Sequence, residues 1–151
     1  MNDNSHSNNK IDAGNNLFPV FIKLEELKLL VIGGGNIGLE KLQAVVKNAP
    51  ATEIKLVAIE ISEAVKTFTA PYPNITLEER AYNKADIKEA DLVIAAVNDL
   101  SVATQVKADA DECEKLVNVA DKPDLCDFYL GSIVKKGNLK IAISTNGKSP
   151  T

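Results

Sequence analysis

Six consecutive residues, Gly33-Gly34-Gly35-Asn36-Ile37-Gly38, have the spacing of a loop that binds the diphosphate of a dinucleotide. In the pattern Gly-x-Gly-x-x-Gly, the first glycine permits a tight turn, the second lets the backbone approach the ligand, and the third lets the next helix pack close to the strand. The amino end of that helix would offer unpaired N–H groups and a partial positive charge to the phosphates. We therefore predict dinucleotide contacts at five residues of the loop: Gly33, Gly35, Asn36, Ile37 and Gly38.

The residues around the loop decide between its alternative uses. A turn that needs glycine only for left-handed conformations would show the same pattern, whereas a P-loop is excluded because no Gly-Lys-Ser/Thr follows. An apolar run over residues 27–32 precedes the loop, and helical periodicity over residues 36–48 follows it. This strand-loop-helix order favours dinucleotide binding.

Glu60 bears on the choice of cofactor. It follows the second predicted strand, at about the spacing where an acidic residue bonds the adenosine ribose hydroxyls and repels the extra phosphate of NADP. An ordinary solvated loop glutamate would fit the same position. If the loop binds a dinucleotide, Glu60 predicts NAD rather than NADP.

A hydride transfer to NAD needs a group that takes the accompanying proton, commonly a histidine or a tyrosine with a nearby lysine. The one histidine, His6, lies in a polar leader, and no tyrosine begins a Tyr-x-x-x-Lys pair. Carboxylates are therefore the leading candidates, and Asp121 stands at the carboxyl end of a predicted parallel strand, where α/β sheets place their ligands. Asp121 fits equally well as the cap of a turn that contains Lys122 and Pro123.

Two further groups of polar residues have two interpretations each. Asn98 and Asp99 close the fourth predicted strand, and they either line the cofactor cleft or cap the helix that follows. Lysines concentrate positive charge in the last part of the chain, which suits a polyanionic substrate or a solvated face. These lysines are Lys122, Lys135, Lys136, Lys140 and Lys148. We predict no metal site.

The elements that must position these residues alternate along the chain. Strands are predicted at residues 27–32, 54–59, 75–77, 92–97 and 116–119, and helices at residues 36–48, 62–68, 84–89 and 101–114. The alternation implies right-handed crossovers and a doubly wound α/β domain, a Rossmann-type parallel sheet with helices on both faces. Residues 129–135 and 139–144 flank Lys136-Gly137-Asn138, a turn signal that predicts a C-terminal β-hairpin.

Length and composition limit the classes of protein that the chain can be. Its 151 residues, 45% hydrophobic and 25% charged, suit one soluble domain, which we place at residues 17–151 after a disordered leader at residues 1–16. A net charge of −4 argues against nucleic acid, and no apolar run approaches the roughly 20 residues that span a membrane. Two separated cysteines, Cys113 and Cys126, suit the reducing cytoplasm.

Most of these segments together resemble one family, the precorrin-2 dehydrogenase domain of sirohaem synthases, which includes free-standing dehydrogenases and dehydrogenase/ferrochelatase proteins. The glycine loop is shared with many families, but Asn118-Val119-Ala120-Asp121 and Ser144-Thr145-Asn146-Gly147-Lys148-Ser149-Pro150 are much more specific. The similarity leaves out only the leader. Its matching segments are residues 17–20, 31–36, 41, 95–99, 117–128 and 141–150.

The resemblance implies a reaction and roles for several residues. Precorrin-2 would lose a hydride to NAD and a proton to a base, giving sirohydrochlorin on the route to sirohaem. Asp121 would be the catalytic carboxylate, which in some members also serves iron insertion. Lysines such as Lys122 and Lys148 would pair with the carboxylates of the tetrapyrrole, and Ser132 falls near the implied substrate cleft.

The sequence departs from the family pattern after Pro150. Family members usually continue into helices that help to form a homodimer and cover the substrate, so we expect that helical region to be absent or truncated here. Glu40 also stands where a basic residue is expected. Two alternatives stay open: a dehydrogenase that is also a sirohydrochlorin ferrochelatase, with ferrous ion as co-substrate, and a non-catalytic NAD-sensing module that needs the glycine loop and Glu60 but not Asp121.

Overall fold

A computed structural model describes residues 14–146 of the chain. These residues fall into two compact units, one formed by residues 22–128 and the other by residues 14–21 together with 129–146. The predicted leader lies mostly outside the described residues, and the single domain over residues 17–151 stays a prediction. No helix in residues 14–146 combines the length and apolar character that a membrane span requires.

The larger unit is built on a five-stranded sheet in the order β3-β2-β1-β4-β5. All four neighbouring pairs are parallel. The strands are β1 (Lys28–Ile32), β2 (Glu53–Ala58), β3 (Ile75–Glu79), β4 (Leu92–Ala95) and β5 (Leu116–Val119). Because the first strand of the chain lies in the middle, the chain winds outward in both directions, as the predicted doubly wound fold requires.

Helices connect successive strands of this sheet. They are α1 (Asn36–Asn48), α2 (Glu63–Thr69), α3 (Lys84–Glu89) and α4 (Leu100–Glu112), with short 3-10 helices at Leu24–Glu26 and Pro123–Leu125. Both α1 and α3 have the predicted bounds. The fourth strand is shorter than predicted because the chain leaves the sheet toward α4 soon after Ala95. Its last hydrogen bond to β1 is the one that Ala96 donates to Ile32.

Alternate residues of the central strand fill two separate hydrophobic cores. Leu29 and Val31 of β1 pack on the side of α1 and α2, and Leu30 and Ile32 pack on the side of α3 and α4. Successive side chains of a strand point to opposite faces, so an unbroken apolar strand needs cover on both faces. This requirement accounts for the helical layer on each side of the sheet.

The smaller unit contains an antiparallel hairpin of β6 (Ser132–Lys136) and β7 (Leu139–Ile143). Gly137 takes a positive φ of 59° in the turn, which glycine tolerates without steric cost. Asn15 of the same unit donates a hydrogen bond of 3.2 Å to the Ser144 hydroxyl. The predicted fold class, a Rossmann-type α/β sheet followed by a C-terminal hairpin, is confirmed.

Candidate active site

Backbone hydrogen bonds continue past the ends of four neighbouring strands and hold their connecting loops side by side. Ala120 donates to Ala95, Ala96 donates to Ile32, and Gly33 donates to Val57, at 2.9, 2.7 and 3.0 Å. The carboxyl ends of parallel strands meet at one edge of a sheet, which is where α/β proteins bind their ligands. The predicted site residues in the larger unit therefore gather at this carboxyl edge: the glycine loop, Glu60, Asn98, Asp99, Asp121 and Lys122.

The glycine loop is shaped by close backbone packing at its first and last glycines. Gly33 has a φ of 125°, and a Cβ atom there would overlap the carbonyl oxygen of Ala96. A Cβ at Gly38 would overlap the carbonyl oxygen of Gly33. These two glycines are thus required by the strand-to-helix turn itself, in the roles that the sequence predicts for them.

Gly35 is different, because a Cβ there would meet no atom within 4 Å. Its φ of −103° is also accessible to other residues. Packing within the described chain therefore gives no reason for glycine at this position. The free space lies at the amino end of α1, where the predicted role of Gly35 is to let a ligand approach the backbone.

The amino end of α1 has no side-chain cap. The three other described α-helices are each capped by a side chain, from Ser62, Asn83 and Asp99 respectively. The first N–H groups of a helix need a partner and carry a partial positive charge. The end that begins at Asn36 and Ile37 is therefore suited to an anion, which would take the place of the missing cap.

Gly34 has a packing role that the sequence analysis did not assign to it. A Cβ at Gly34 would lie 2.6 Å from the carbonyl oxygen of Glu60, so the loop after β2 can pack directly on the glycine loop only if this residue has no side chain. Ser62 then donates a backbone hydrogen bond of 2.9 Å to Gly34. Glu60 itself is exposed beside this contact. The run of three consecutive glycines, Gly33 to Gly35, could have indicated this packing.

Asp99 caps the helix that follows it, one of the two roles that the sequence left open. Its Oδ1 accepts hydrogen bonds from the Ser101 hydroxyl and from the Ser101 and Val102 backbone, at 2.7, 2.8 and 3.3 Å. The hydrogen bond from the Ser101 hydroxyl is the main cause that lowers the pKa of Asp99 below its ordinary value. Asn98 precedes this cap at the carboxyl edge, and cofactor contacts by both residues stay a prediction.

Asp121 has a backbone conformation that is rare for a residue with a side chain. Its φ is 61°, in the left-handed region, and the residue is exposed two positions beyond β5. Glu114, which has a similar φ, closes the carboxyl end of α4, a position where left-handed residues are common. Asp121 does not cap the 3-10 helix at Pro123–Leu125, because the capping residue is Lys122 and no side chain makes the cap.

The loop that carries Asp121 is tied to β5 by Cys126 and Asp127, which the sequence analysis did not single out for this role. The Cys126 sulfur lies 3.1 Å from both the nitrogen and the oxygen of Val119, and burial raises the pKa of this thiol. Asp127 accepts a 3.0 Å hydrogen bond from the Val117 nitrogen and a 2.7 Å ion pair from Lys107. The contacts of Cys126 and Asp127 with β5 span seven and ten residues, and the ion pair with Lys107 spans twenty, but periodicity does not reveal any of them.

The two remaining predicted substrate residues are not part of the larger unit. Ser132 begins β6 in the smaller unit, where it is exposed and opposite Ile143. Lys148 lies outside the described residues. Within residues 14–146, no group of three or more His, Cys, Asp or Glu residues is placed to hold a metal ion.

Comparison with known proteins identifies the family. A family described as NAD(P)-binding matches residues 20–132, and a second, described as sirohaem biosynthesis protein central, matches residues 136–151. The chain belongs to this NAD(P)-binding family. The match covers the glycine loop, Glu60 and Asp121, so the nicotinamide-dinucleotide class of cofactor rests on the family as well as on the loop.

The chain is also similar in sequence to sirohaem synthases. The chain is 35% identical over 135 residues to the sirohaem synthase of Psychrobacter cryohalolentis and 37% identical over 132 residues to that of Nitrosococcus oceani. These alignments cover 89% and 87% of this chain but 25% and 28% of the relatives, so the chain spans about a quarter of their length.

A solved structure, SirC, precorrin-2 dehydrogenase, matches with a TM-score of 0.75 and 25% identity, over 89% of this chain and 64% of that one. The resemblance to the sirohaem synthase and precorrin-2 dehydrogenase family is thereby confirmed. The relatives are named for sirohaem synthesis, and the solved structure is named for the dehydrogenation of precorrin-2.

Proposed function

We propose that the protein oxidises precorrin-2 to sirohydrochlorin, with NAD as the hydride acceptor. In this reaction the substrate gives a hydride to NAD and a proton to the protein, so that sirohydrochlorin, NADH and one proton are formed. The observation that carries the proposal is the exposed, left-handed Asp121 on the same sheet edge as the uncapped helix of the glycine loop. A strained, exposed carboxylate that makes no cap suits a chemical role better than a structural one.

The cofactor would bind across the middle of the carboxyl edge. The open space over Gly35 and the uncapped amino end of α1 fit a diphosphate, and Glu60 at the end of β2 fits the adenosine ribose of NAD. Bound NAD supplies the hydride acceptor. Gly33, Gly38, Asn36 and Ile37 shape the loop or stand at its helix end, and Asn98 and Asp99 border it from the end of β4.

Asp121 would take the proton that leaves when the hydride departs. Its loop is held on β5 by Cys126 and Asp127, so the carboxylate is presented from a braced backbone rather than a free loop. Lys122 follows directly and would pair with a carboxylate of the tetrapyrrole. We assign Ser132 and Lys148 to the same substrate. We also place the enzyme in the cytoplasm and, following the family resemblance, in a homodimer.

The test is turnover of precorrin-2 with NAD under anaerobic conditions, so that oxygen cannot accept the electrons. The protein should form NADH and sirohydrochlorin in equal amounts. Asp121→Asn should lower kcat by about 100-fold to 10,000-fold, the usual contribution of a general base, and should leave NAD affinity within about twofold. Asp124→Asn, an exposed aspartate in the same loop, is the matched control and should keep full turnover.

Two results would remove the assignment. Unchanged turnover in Asp121→Asn would exclude Asp121 as the base. Binding of NAD without any turnover of precorrin-2 by the native protein would instead favour the NAD-sensing module.

A further inference from the structure

The loop after β2, which carries Glu60, is held in place by a second carboxylate. Glu79 is the last residue of β3 and lies opposite Ala58 in the sheet. Its Oε2 accepts a 2.9 Å hydrogen bond from the backbone nitrogen of Ile61, the residue that follows Glu60. The loop is therefore fixed from the β3 side by Glu79 and from the β1 side by the Ser62 to Gly34 hydrogen bond.

Glu79 faces the side of the sheet on which α1 packs. Ile75 and Leu77 contribute to the core beneath α1 and α2, and Glu79 continues the same alternation. Glu78 points the other way and pairs with Arg80 at 2.6 Å. The negative charge of Glu79 is thus on the face of the sheet on which α1 begins after the glycine loop, next to the backbone of Glu60.

The cations of β2 and of the loop directly after β3 form ion pairs with carboxylates other than Glu79. Arg80 bonds Glu78 and Asp86, and Lys55 pairs with Glu78, Asp86 and Glu89. No ion pair between residues of the described chain involves Glu60 or Glu79. Two carboxylates without a paired cation therefore stand at the ends of β2 and β3.

We propose that Glu79 is a selectivity residue for the cofactor, which positions Glu60 through the Ile61 amide and adds negative charge against the 2′-phosphate of NADP. This inference rests on the proposed use of NAD at the carboxyl edge. Glu60 supplies the ribose contact in this arrangement. Glu79 acts by holding the loop that carries Glu60 and by the electrostatic field of its charge, without touching the ribose itself.

Two substitutions separate the two parts of this role. Glu79→Gln removes the charge but keeps an oxygen that can accept from Ile61, whereas Glu79→Ala removes both. Glu53→Gln makes the same change of charge at the opposite, amino end of β2 and serves as the matched control. The full chain and its variants are titrated with NAD⁺ and with NADP⁺ by calorimetry.

Glu79→Gln should hold NAD⁺ affinity within about twofold and raise NADP⁺ affinity about fivefold, and high salt should reduce that gain. Glu79→Ala should weaken NAD⁺ binding about fivefold, the effect of one lost hydrogen bond. Glu53→Gln should change neither affinity. A purely structural role would lower both affinities together in Glu79→Gln, without a change in their ratio.

The outcomes distinguish this inference from the proposed function. NAD⁺ binding by the native protein with an unchanged selectivity ratio in Glu79→Gln overturns only the role of Glu79. Failure of the native protein to bind either dinucleotide overturns both. NAD⁺ binding and precorrin-2 turnover with the predicted change in ratio support both.

Discussion

Two loops at the carboxyl edge place a residue at positive φ just after a strand, but for opposite reasons. Gly33 follows β1 with a φ of 125° and packs so closely on Ala96 that a side chain has no room. Asp121 follows β5 with a φ of 61°, is exposed, and occupies a conformation that glycine would adopt more easily. Backbone packing accounts for the residue type in the first loop. In the second, no hydrogen bond between described residues accounts for an aspartate, which is why we propose a chemical role for it.

The largest effect on stability is expected from a substitution at Gly33. Gly33→Ala should lower the free energy of unfolding by about 3 kcal/mol or more, because the new Cβ meets backbone that cannot move aside and the φ value is strained for alanine. Urea denaturation measures the change. Gly137→Ala, also at positive φ but with open space around it, should cost only about 1 kcal/mol. Equal losses at both positions would show that the contact with Ala96 contributes nothing.

Gly35 gives the next largest effect, and it should appear in binding rather than in stability. Gly35→Ala should weaken NAD⁺ binding about tenfold, which corresponds to about 1.4 kcal/mol, because the methyl group enters the space where the diphosphate is expected. The free energy of unfolding should change by less than about 1 kcal/mol, since no described atom lies within 4 Å of the new Cβ. Undiminished affinity in this variant would place the nucleotide elsewhere.

At Asp121 the usual order of glycine and alanine should be reversed. Asp121→Gly should be more stable than Asp121→Ala by about 1 kcal/mol, because only glycine adopts the left-handed conformation freely. Thermal and urea unfolding of the two variants measure the difference. If alanine is the more stable residue at position 121, the conformation is not strained and the argument for a chemical role loses its support.

The smallest effect is the pH dependence of the Asp121 loop. Burial raises the pKa of Cys126 in the folded chain, so its thiol contributes stability that is fully present below the ordinary thiol pKa and is lost as the pH rises through the raised value. Unfolding measured across the alkaline range should show an added loss of less than about 1 kcal/mol that Cys126→Ser abolishes. Cys113→Ser is the control and should retain the loss; the same loss in Cys126→Ser would exclude this thiol as its source.

The sequence was most informative where a role depends on local order. The loop from Gly33 to Gly38, the exact extents of α1 and α3, and the hairpin about Gly137 follow from periodicity and glycine spacing, which act within a few residues. The single domain over residues 17–151, the NAD preference and the assigned site residues remain predictions.

Other features could not be predicted because they join distant parts of the chain or depend on a backbone angle. The contact of Glu79 with Ile61 exists only once β3 lies beside β2, and the Gly34 contact with Glu60 only once two loops meet. The φ of Asp121 and the sulfur contacts of Cys126 have no periodic signature. For Asp99, the sequence allowed either a cofactor contact or a helix cap, and the structure shows the cap.

Calorimetric titration of the protein with NAD⁺ tests the central claim most directly. The account predicts saturable binding of one NAD⁺ per chain, tighter than that of NADP⁺ and weakened in Gly35→Ala. Absence of binding by both oxidised and reduced nicotinamide dinucleotide would contradict it, because the uncapped amino end of α1 would then hold no diphosphate.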